Sequence, residues 1–460
     1  MGFQKRRAVI LRHFITLLFA VAIFIVFFLQ FFYKNETDSD DEKYEINLHP
    51  FYLRRHQVNC LSLMTGETSN VDKATGQSLV ETDYKLYQLF NECSIVRRRF
   101  YYPEQPLTLT ESQVPLAFSI LAFANLQEME LLLSAIYMPQ NVYCFHVDLK
   151  ASQVFLEGMR RLARCFDNVV ISEKQLPVSS SGLNMIKAQL TCIEALIKID
   201  ANWKYLFNLQ GQDFPLRTNA ELVEFVSILN GANDIELLPK NDYILGTRFA
   251  IEYDAENGVP IGYNLQQPID DKRSQPDGLE LYKGSICTTL NRQFAEKVME
   301  DKRKDKLLHF LDNLKFGDEY FWATFSHNDP QLPGYYPGSC AKDGLKDWFS
   351  RYAMWATYEN VKCHGQFRHA VCVFGRGDLA MLTQRPEMFL NKFSTRIDPL
   401  AEYCFHELLF NRTHLAKQYP TSTFGFNRTL YKNSAAVQFQ NSKAKKQNFQ
   451  CIPCSFNCQH

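Results

Sequence analysis

The sequence predicts an α/β fold with a mostly parallel, doubly wound sheet, preceded by one transmembrane helix, and three observations carry that reading. From Pro115 onward, short apolar runs alternate with stretches of helical periodicity. The helices between the strands run to ten residues or more, the spacing that parallel βαβ units need. Near the N-terminus, the uncharged run "FITLLFAVAIFIVFFLQFFY" at 14–33 has the roughly 20 residues that span a bilayer.

Taken in order, a strand at 116–123 leads into a helix at 126–137, and a strand at 142–148 into a helix at 153–164. A strand at 168–172 precedes the long helix 183–199, and 205–211 is again a strand. Ligands of such sheets bind beyond the carboxyl ends of the strands. That rule directs attention to Asp148, which ends "YCFHVD", and to "GQDFP" after "YLFNLQ". The second half is less regular. There, 281–290 reads as a strand entering the helix "NRQFAEKVMED", and 370–382 as a buried strand followed by a turn.

Lys5, Arg6, Arg7 and Arg12 precede the apolar run and "NETDSDDE" follows it, which places residues 1–13 in the cytoplasm and the rest outside the cytosol. The run is longer than the core of a cleaved signal peptide and ends in Phe-Phe-Tyr, so it reads as an uncleaved signal anchor. Residues 34–110 read as a polar stem, 111–415 as the folded domain and 416–460 as a Cys-containing extension. Asn35, Asn411 and Asn427 head glycosylation sequons. Thirteen cysteines outside the cytosol read as a disulfide framework, and the odd number leaves one free or paired with a second chain as a disulfide-linked dimer. Lys+Arg and Asp+Glu are both 50, so no global field points to nucleic acid.

The chain has no phosphate loop with Lys-Ser/Thr, no His-Glu-x-x-His and no Gly-x-Ser-x-Gly, which removes the machinery of kinases, metalloproteases and α/β-hydrolases. Asp-x-Asp occurs at Asp38 and Asp40, in the acidic stem. The strand end reads Asp148-Leu149-Lys150, with a base where a second metal-binding acid would stand. A diphosphate bound there calls for cationic side chains in place of a metal. Cys451, Cys454, Cys458 and His460 have zinc-like spacing, but disulfides are the expected use outside the cytosol. "GRGD" at 375–378 follows a buried-looking strand and reads as a tight turn. In "KFGDEYFWATF", 315–325, adjacent helical residues point about 100° apart. One of Asp318 and Glu319 is therefore expected to cap the helix, and the other can face a pocket, where aromatic surroundings would raise its pKa toward general-base work.

Six blocks occur in order: "AIYMPQNVYCFHVD", "NWKYLFNLQGQDFPLRTN", "KGS", "GDEYFWAT", "AVCVFGRGDL" and "NKF". Together they resemble the core 2/I-branching β-1,6-N-acetylglucosaminyltransferase family (glycosyltransferase family 14), type II Golgi proteins that count peptide O-xylosyltransferases among their relatives. The resemblance runs from about Cys60 to Cys404. It implies a GT-A type nucleotide-sugar transferase with a Rossmann-like sheet over 111–415, in the Golgi lumen on a single-pass membrane anchor. It implies an inverting transfer of N-acetylglucosamine from UDP-GlcNAc onto a glycoprotein O-glycan acceptor, with no metal and no cofactor.

By the same resemblance Glu319 is the catalytic base, Asp148 contacts the nucleoside and Lys392 the diphosphate. The family's second cation lies three residues before the Cys of "VC". Here that residue is His369 with Arg368 beside it, so one of the two serves or donor binding is weakened. Glu236, Arg248 and Trp355 fall on the acceptor side. Leu183-Asn184-Met185 stands where Trp-Ser-Arg is common, which leaves the donor sugar open. The implied disulfides are Cys60–Cys404, Cys93–Cys165, Cys144–Cys192 and Cys363–Cys372, with Cys287, Cys340 and the tail cysteines unassigned. Two alternatives stand beside this reading. One is a peptide O-xylosyltransferase-like enzyme, for which an extra C-terminal domain would be expected. The other is a catalytically silent, membrane-tethered glycan-binding protein.

Overall fold

The computed structural model describes residues 60–66, 79–179, 182, 184–199, 202–238, 251–253, 260–263, 278–312, 316–337, 348–357, 362–414 and 424–444. The expected span at 14–33, Asn35, Arg248, Cys340 and the tail cysteines lie outside them. Among the described residues no helix is long and apolar enough to cross a membrane.

In chain order the strands are β1 (Leu116–Ala122), β2 (Val142–Val147), β3 (Val169–Ile171), β4 (Tyr205–Gln210), β5 (Asp213–Pro215) and β6 (Ile251–Tyr253). They continue with β7 (Pro260–Tyr263), β8 (Thr289–Asn291), β9 (Arg351–Ala353), β10 (Gln366–Arg368), β11 (Val371–Val373) and β12 (Phe389–Asn391). The main sheet has the order β3-β2-β1-β4-β8. Its first four strands are parallel, and β8 pairs antiparallel with β4. This mixed α/β arrangement fits a GT-A-like fold.

Every residue of β1 and β2 is buried, because side chains alternate between two covered faces. Phe118, Tyr143 and Phe207 point into one core, where Phe118 stacks on Tyr143 at 5.1 Å and on Phe207 at 5.5 Å. Their neighbours Ala117, Cys144 and Leu206 point into the other. Helices Leu126–Ile136 and Gln153–Ala163 pack on the first face. On the second lie Met185–Ile199, Arg292–Glu300 and Asp318–Asn328. Asn125 and Ser152 cap the first two helices, each accepting a backbone N–H.

Two small sheets sit at the rim. In β5-β12-β9, β12 runs antiparallel to β5 and parallel to β9. The β10-β11 hairpin turns at His369 and Ala370, whose φ of 51° and 64° are both left-handed. The strand expected at 281–290 is confined to Thr289–Asn291. Ahead of it the backbone bonds to the helix starting at Asp318: Tyr282 N donates to Thr324 Oγ1 at 3.1 Å and Gly284 N to Glu319 O at 2.7 Å.

Folded structure extends past both ends of 111–415. In the stretch expected as stem, Leu86, Phe90, Val96, Phe100 and Tyr102 belong to the core. Cys60 is tied to Cys404. Beyond 415, Tyr431 is wholly buried against Phe225 and Phe349. The described disulfides are Cys60–Cys404, Cys93–Cys165, Cys144–Cys192 and Cys363–Cys372, with Cys287 a buried free thiol.

Candidate active site

A cleft of about 590 Å³ opens beyond the carboxyl ends of β1, β2 and β4, where a parallel sheet presents its ligands. Asp148 lies in its wall, 5% exposed. Its carboxylate accepts from Lys150 N at 2.8 Å and Val178 N at 3.1 Å and pairs with Lys150 Nζ at 3.1 Å. The base expected at this strand end is therefore bound to the acid it follows.

Lys392 and Arg368 line the same cleft. Burial and the neighbouring Arg368 guanidinium hold the Lys392 ammonium below the ordinary lysine value. His369, at the tip of the turn, is exposed and absent from the cleft wall. Lys392 is set by Asp213, a buried carboxylate that sequence reasoning did not single out beyond its "GQDFP" block. Asp213 accepts from Asn391 Nδ2 at 2.7 Å and from Gln210 N at 2.8 Å. Burial pushes its carboxyl up, and Arg351, 3.6 Å away, partly offsets that. Arg351 also feels the carboxylate of Glu236, so one guanidinium stands between the Asp213 and Glu236 carboxylates. The only sequence signal for Arg351 would have been its place after "DWFS".

Glu319 lies outside the cleft wall. Its side chain is 27% exposed and pairs with Lys283 at 3.2 Å. The aromatic wall does not surround it: Tyr320, Phe321, Trp322 and Phe325 are buried in the second core, where Trp322 Nε1 donates to Gln189 at 2.9 Å. The expected cap is also corrected. Gly317 takes the N-cap position without a side-chain bond, and Asp318 is buried in the first turn, where a carboxylate complements the helix dipole. Gly284 explains the "KGS" block. A Cβ there would meet Glu236 O at 1.9 Å, so only glycine lets the Lys283–Ser285 backbone pass between Glu236 and Glu319. Trp355 is 40% exposed and bridges to Val371, which pairs with Arg368 beside the turn of the hairpin.

Asn427 is exposed and caps the helix Arg428–Lys432, whereas Asn411 is 8% exposed inside Pro399–His414. The "GRGD" turn is tied inward: Asp378, 2% exposed, accepts from Gly375 N at 2.9 Å, and Arg376 pairs with Asp398 at 3.0 Å. Among the described residues the one group spaced for a metal is Cys363, Cys372 and Asp378, and its two thiols are already joined to each other.

Parallel strands ending in a cleft lined by Asp148, Lys150, Arg368 and Lys392 place a charged pocket where α/β enzymes bind their ligands. The family model described as Core-2/I-Branching enzyme matches residues 116–383, and the chain belongs to that family and is a glycosyltransferase. It is 32% identical over 371 residues (76% of this chain, 84% of the relative) to the beta-1,3-galactosyl-O-glycosyl-glycoprotein beta-1,6-N-acetylglucosaminyltransferase of Bos taurus. To the Homo sapiens protein of the same name it is 30% identical over 372 residues, 76% of this chain and 85% of the relative. A herpesviral relative, from Bovine herpesvirus 4, is 28% identical over 373 residues, 77% of this chain and 83% of the relative.

Proposed function

We propose that the protein transfers N-acetylglucosamine from UDP-GlcNAc in β-1,6 linkage to a glycoprotein O-glycan, inverting the anomeric centre and using no metal. The observation that carries this reading is the convergence of Asp148, Arg368 and Lys392 on one cleft at the parallel strand ends, in a chain whose relatives are named for that reaction. The four disulfides among the described residues accord with an oxidising lumen such as the Golgi, with the 14–33 run as signal anchor.

In this reading Asp148 holds the nucleoside, and Lys392 with Arg368 neutralises the diphosphate. Lys283 orients Glu319, which takes the proton of the acceptor hydroxyl as its oxygen attacks the anomeric carbon opposite the leaving UDP. Charge grows on the diphosphate as that bond breaks, and the fixed cations stabilise it without reorganising. Glu236 and the open face of Trp355 hold the acceptor sugar.

The test uses the soluble luminal chain with UDP-GlcNAc and Gal-β1,3-GalNAc, with and without chelator, followed by linkage analysis. Transfer unaffected by chelator and abolished in Glu319→Gln is the expected result. Failure to transfer from any UDP-sugar would sink the enzyme reading, and loss of transfer in chelator would sink its metal-free form.

A further inference from the structure

We propose that Arg396 is a third cation on the donor diphosphate and that Glu128 is the residue that positions it, an inference that rests on the donor reading above. Arg396 lines the same cleft as Arg368 and Lys392. Its side chain is exposed, and its guanidinium has no hydrogen bond or ion pair to another described residue. Lys150, the remaining cation of the wall, is already held by Asp148 and by Val178 O at 2.6 Å. Beside Arg368 and Lys392, Arg396 is thus the further cation of that lining whose hydrogen-bonding capacity is left for a ligand.

The segment that carries it is fastened from below. Glu128, 5% exposed, accepts on one oxygen from Ser394 Oγ at 3.0 Å, Thr395 N at 2.9 Å and Thr395 Oγ1 at 3.1 Å. Asn125 Nδ2 donates to the same Thr395 hydroxyl at 2.8 Å. Burial pushes the Glu128 carboxyl up, and the three donors on its one oxygen act against that by favouring the ionised form. Glu402 is 3% exposed, and burial together with the Glu128 charge pushes its carboxyl well up, further than that of Glu128, which has the Ser394 and Thr395 donors. The negative charge of Glu128 is then spent on the Ser394–Thr395 backbone and on the field at Arg396, holding the guanidinium at the cleft.

The chemistry favours an arginine here. Lys392 sits where its charged form is disfavoured, and a guanidinium stays charged and offers a planar fork to phosphate oxygens. When the glycosidic bond to the diphosphate breaks, UDP gains negative charge, and a third fixed cation accommodates it where no metal is invoked.

The experiment measures UDP and uridine affinity by calorimetry on the full-length chain in detergent. Arg396→Ala is expected to weaken UDP about tenfold or more and leave uridine unchanged, with a shallower salt dependence. Glu128→Gln should weaken UDP as well, and Glu128→Gln/Arg396→Ala should bind no worse than Arg396→Ala. Thr395→Val, which removes one of the three bonds, repeats the coupling test with less disturbance. Parent-like UDP affinity in Arg396→Ala, or an equal loss for uridine, overturns the diphosphate contact. Losses that add in the double variant overturn the positioning role of Glu128. A parent chain that binds no UDP at all overturns the donor reading itself, a separate outcome.

Discussion

Around the cleft proposed to hold the donor stand the cations Arg368, Lys392 and Arg396, and burial and then Arg368 hold the Lys392 ammonium below the ordinary lysine value. Around Glu319 the plan is reversed: the carboxylate is partly open to water and already has Lys283 at 3.2 Å. On the proposed function the donor side thus stores an electrostatic demand that an anion satisfies. The proposed base is balanced in advance by Lys283 and would gain its function from position. The difference teaches which kinetic constant each side should control: donor affinity on one, the chemical step on the other.

The sharpest way to break that division is Glu319→Gln. Loss of a positioned base should lower kcat by about 10²–10⁴-fold and leave the KM for UDP-GlcNAc nearly unchanged, as steady-state kinetics on both substrates would show. A large rise in donor KM would mean that the helix start also shapes the cleft. Next in size is Lys392→Ala, expected to lower kcat/KM for the donor by roughly 10²-fold, with UDP product inhibition weakened in parallel. If inhibition by UDP is untouched, Lys392 does not face the diphosphate.

The two sides also differ in how legible they were. The strands β1 to β4 fall within two residues of the sequence reading because each is a continuous apolar run with a long helix behind it. Asp148 followed from the strand-end rule alone. Arg368 ends one rim strand of three residues and Lys392 directly follows another, both too short to show a period, and only the family blocks pointed to them. The link that sets Lys392, Asn391 to Asp213, spans 178 residues, which no local pattern encodes. Residues 79–110 passed for a stem because their helices bury few residues apiece: Asp83–Leu89 buries Leu86 alone. The aromatics beside Glu319 are a core face, and their adjacency in sequence misled about what surrounds the carboxylate.

A third perturbation acts where the sides meet. Gly284→Ala would set a methyl 1.9 Å from Glu236 O and 3.1 Å from Ala323 Cβ, costing about 1–3 kcal/mol by overpacking. Gly284 N also bonds to Glu319 O, so kcat should fall about tenfold, the equivalent of 1.4 kcal/mol, with donor KM little changed. Thermal unfolding beside steady-state kinetics checks both effects. A donor KM that rises as much as kcat falls would show that the two sides are not separable at this backbone.

The smallest effect probes the stored demand directly. The Lys392 ammonium lies below the ordinary lysine value because burial, and then Arg368, disfavour its charged form. A bound diphosphate favours that form, so donor binding takes up a proton at pH values above the lowered pKa of the free enzyme. Affinity is full below that pKa and is lost as pH rises through it. The donor KM should therefore climb several-fold on the alkaline side, before the aromatic hydroxyls and exposed lysines titrate. Lys392→Arg, which stays charged throughout, should flatten the climb even if its neutral-pH KM is worse. Parent and variant profiles that rise together would place the titrating group elsewhere, and would leave the desolvated lysine without the role that separates the donor side from the base side.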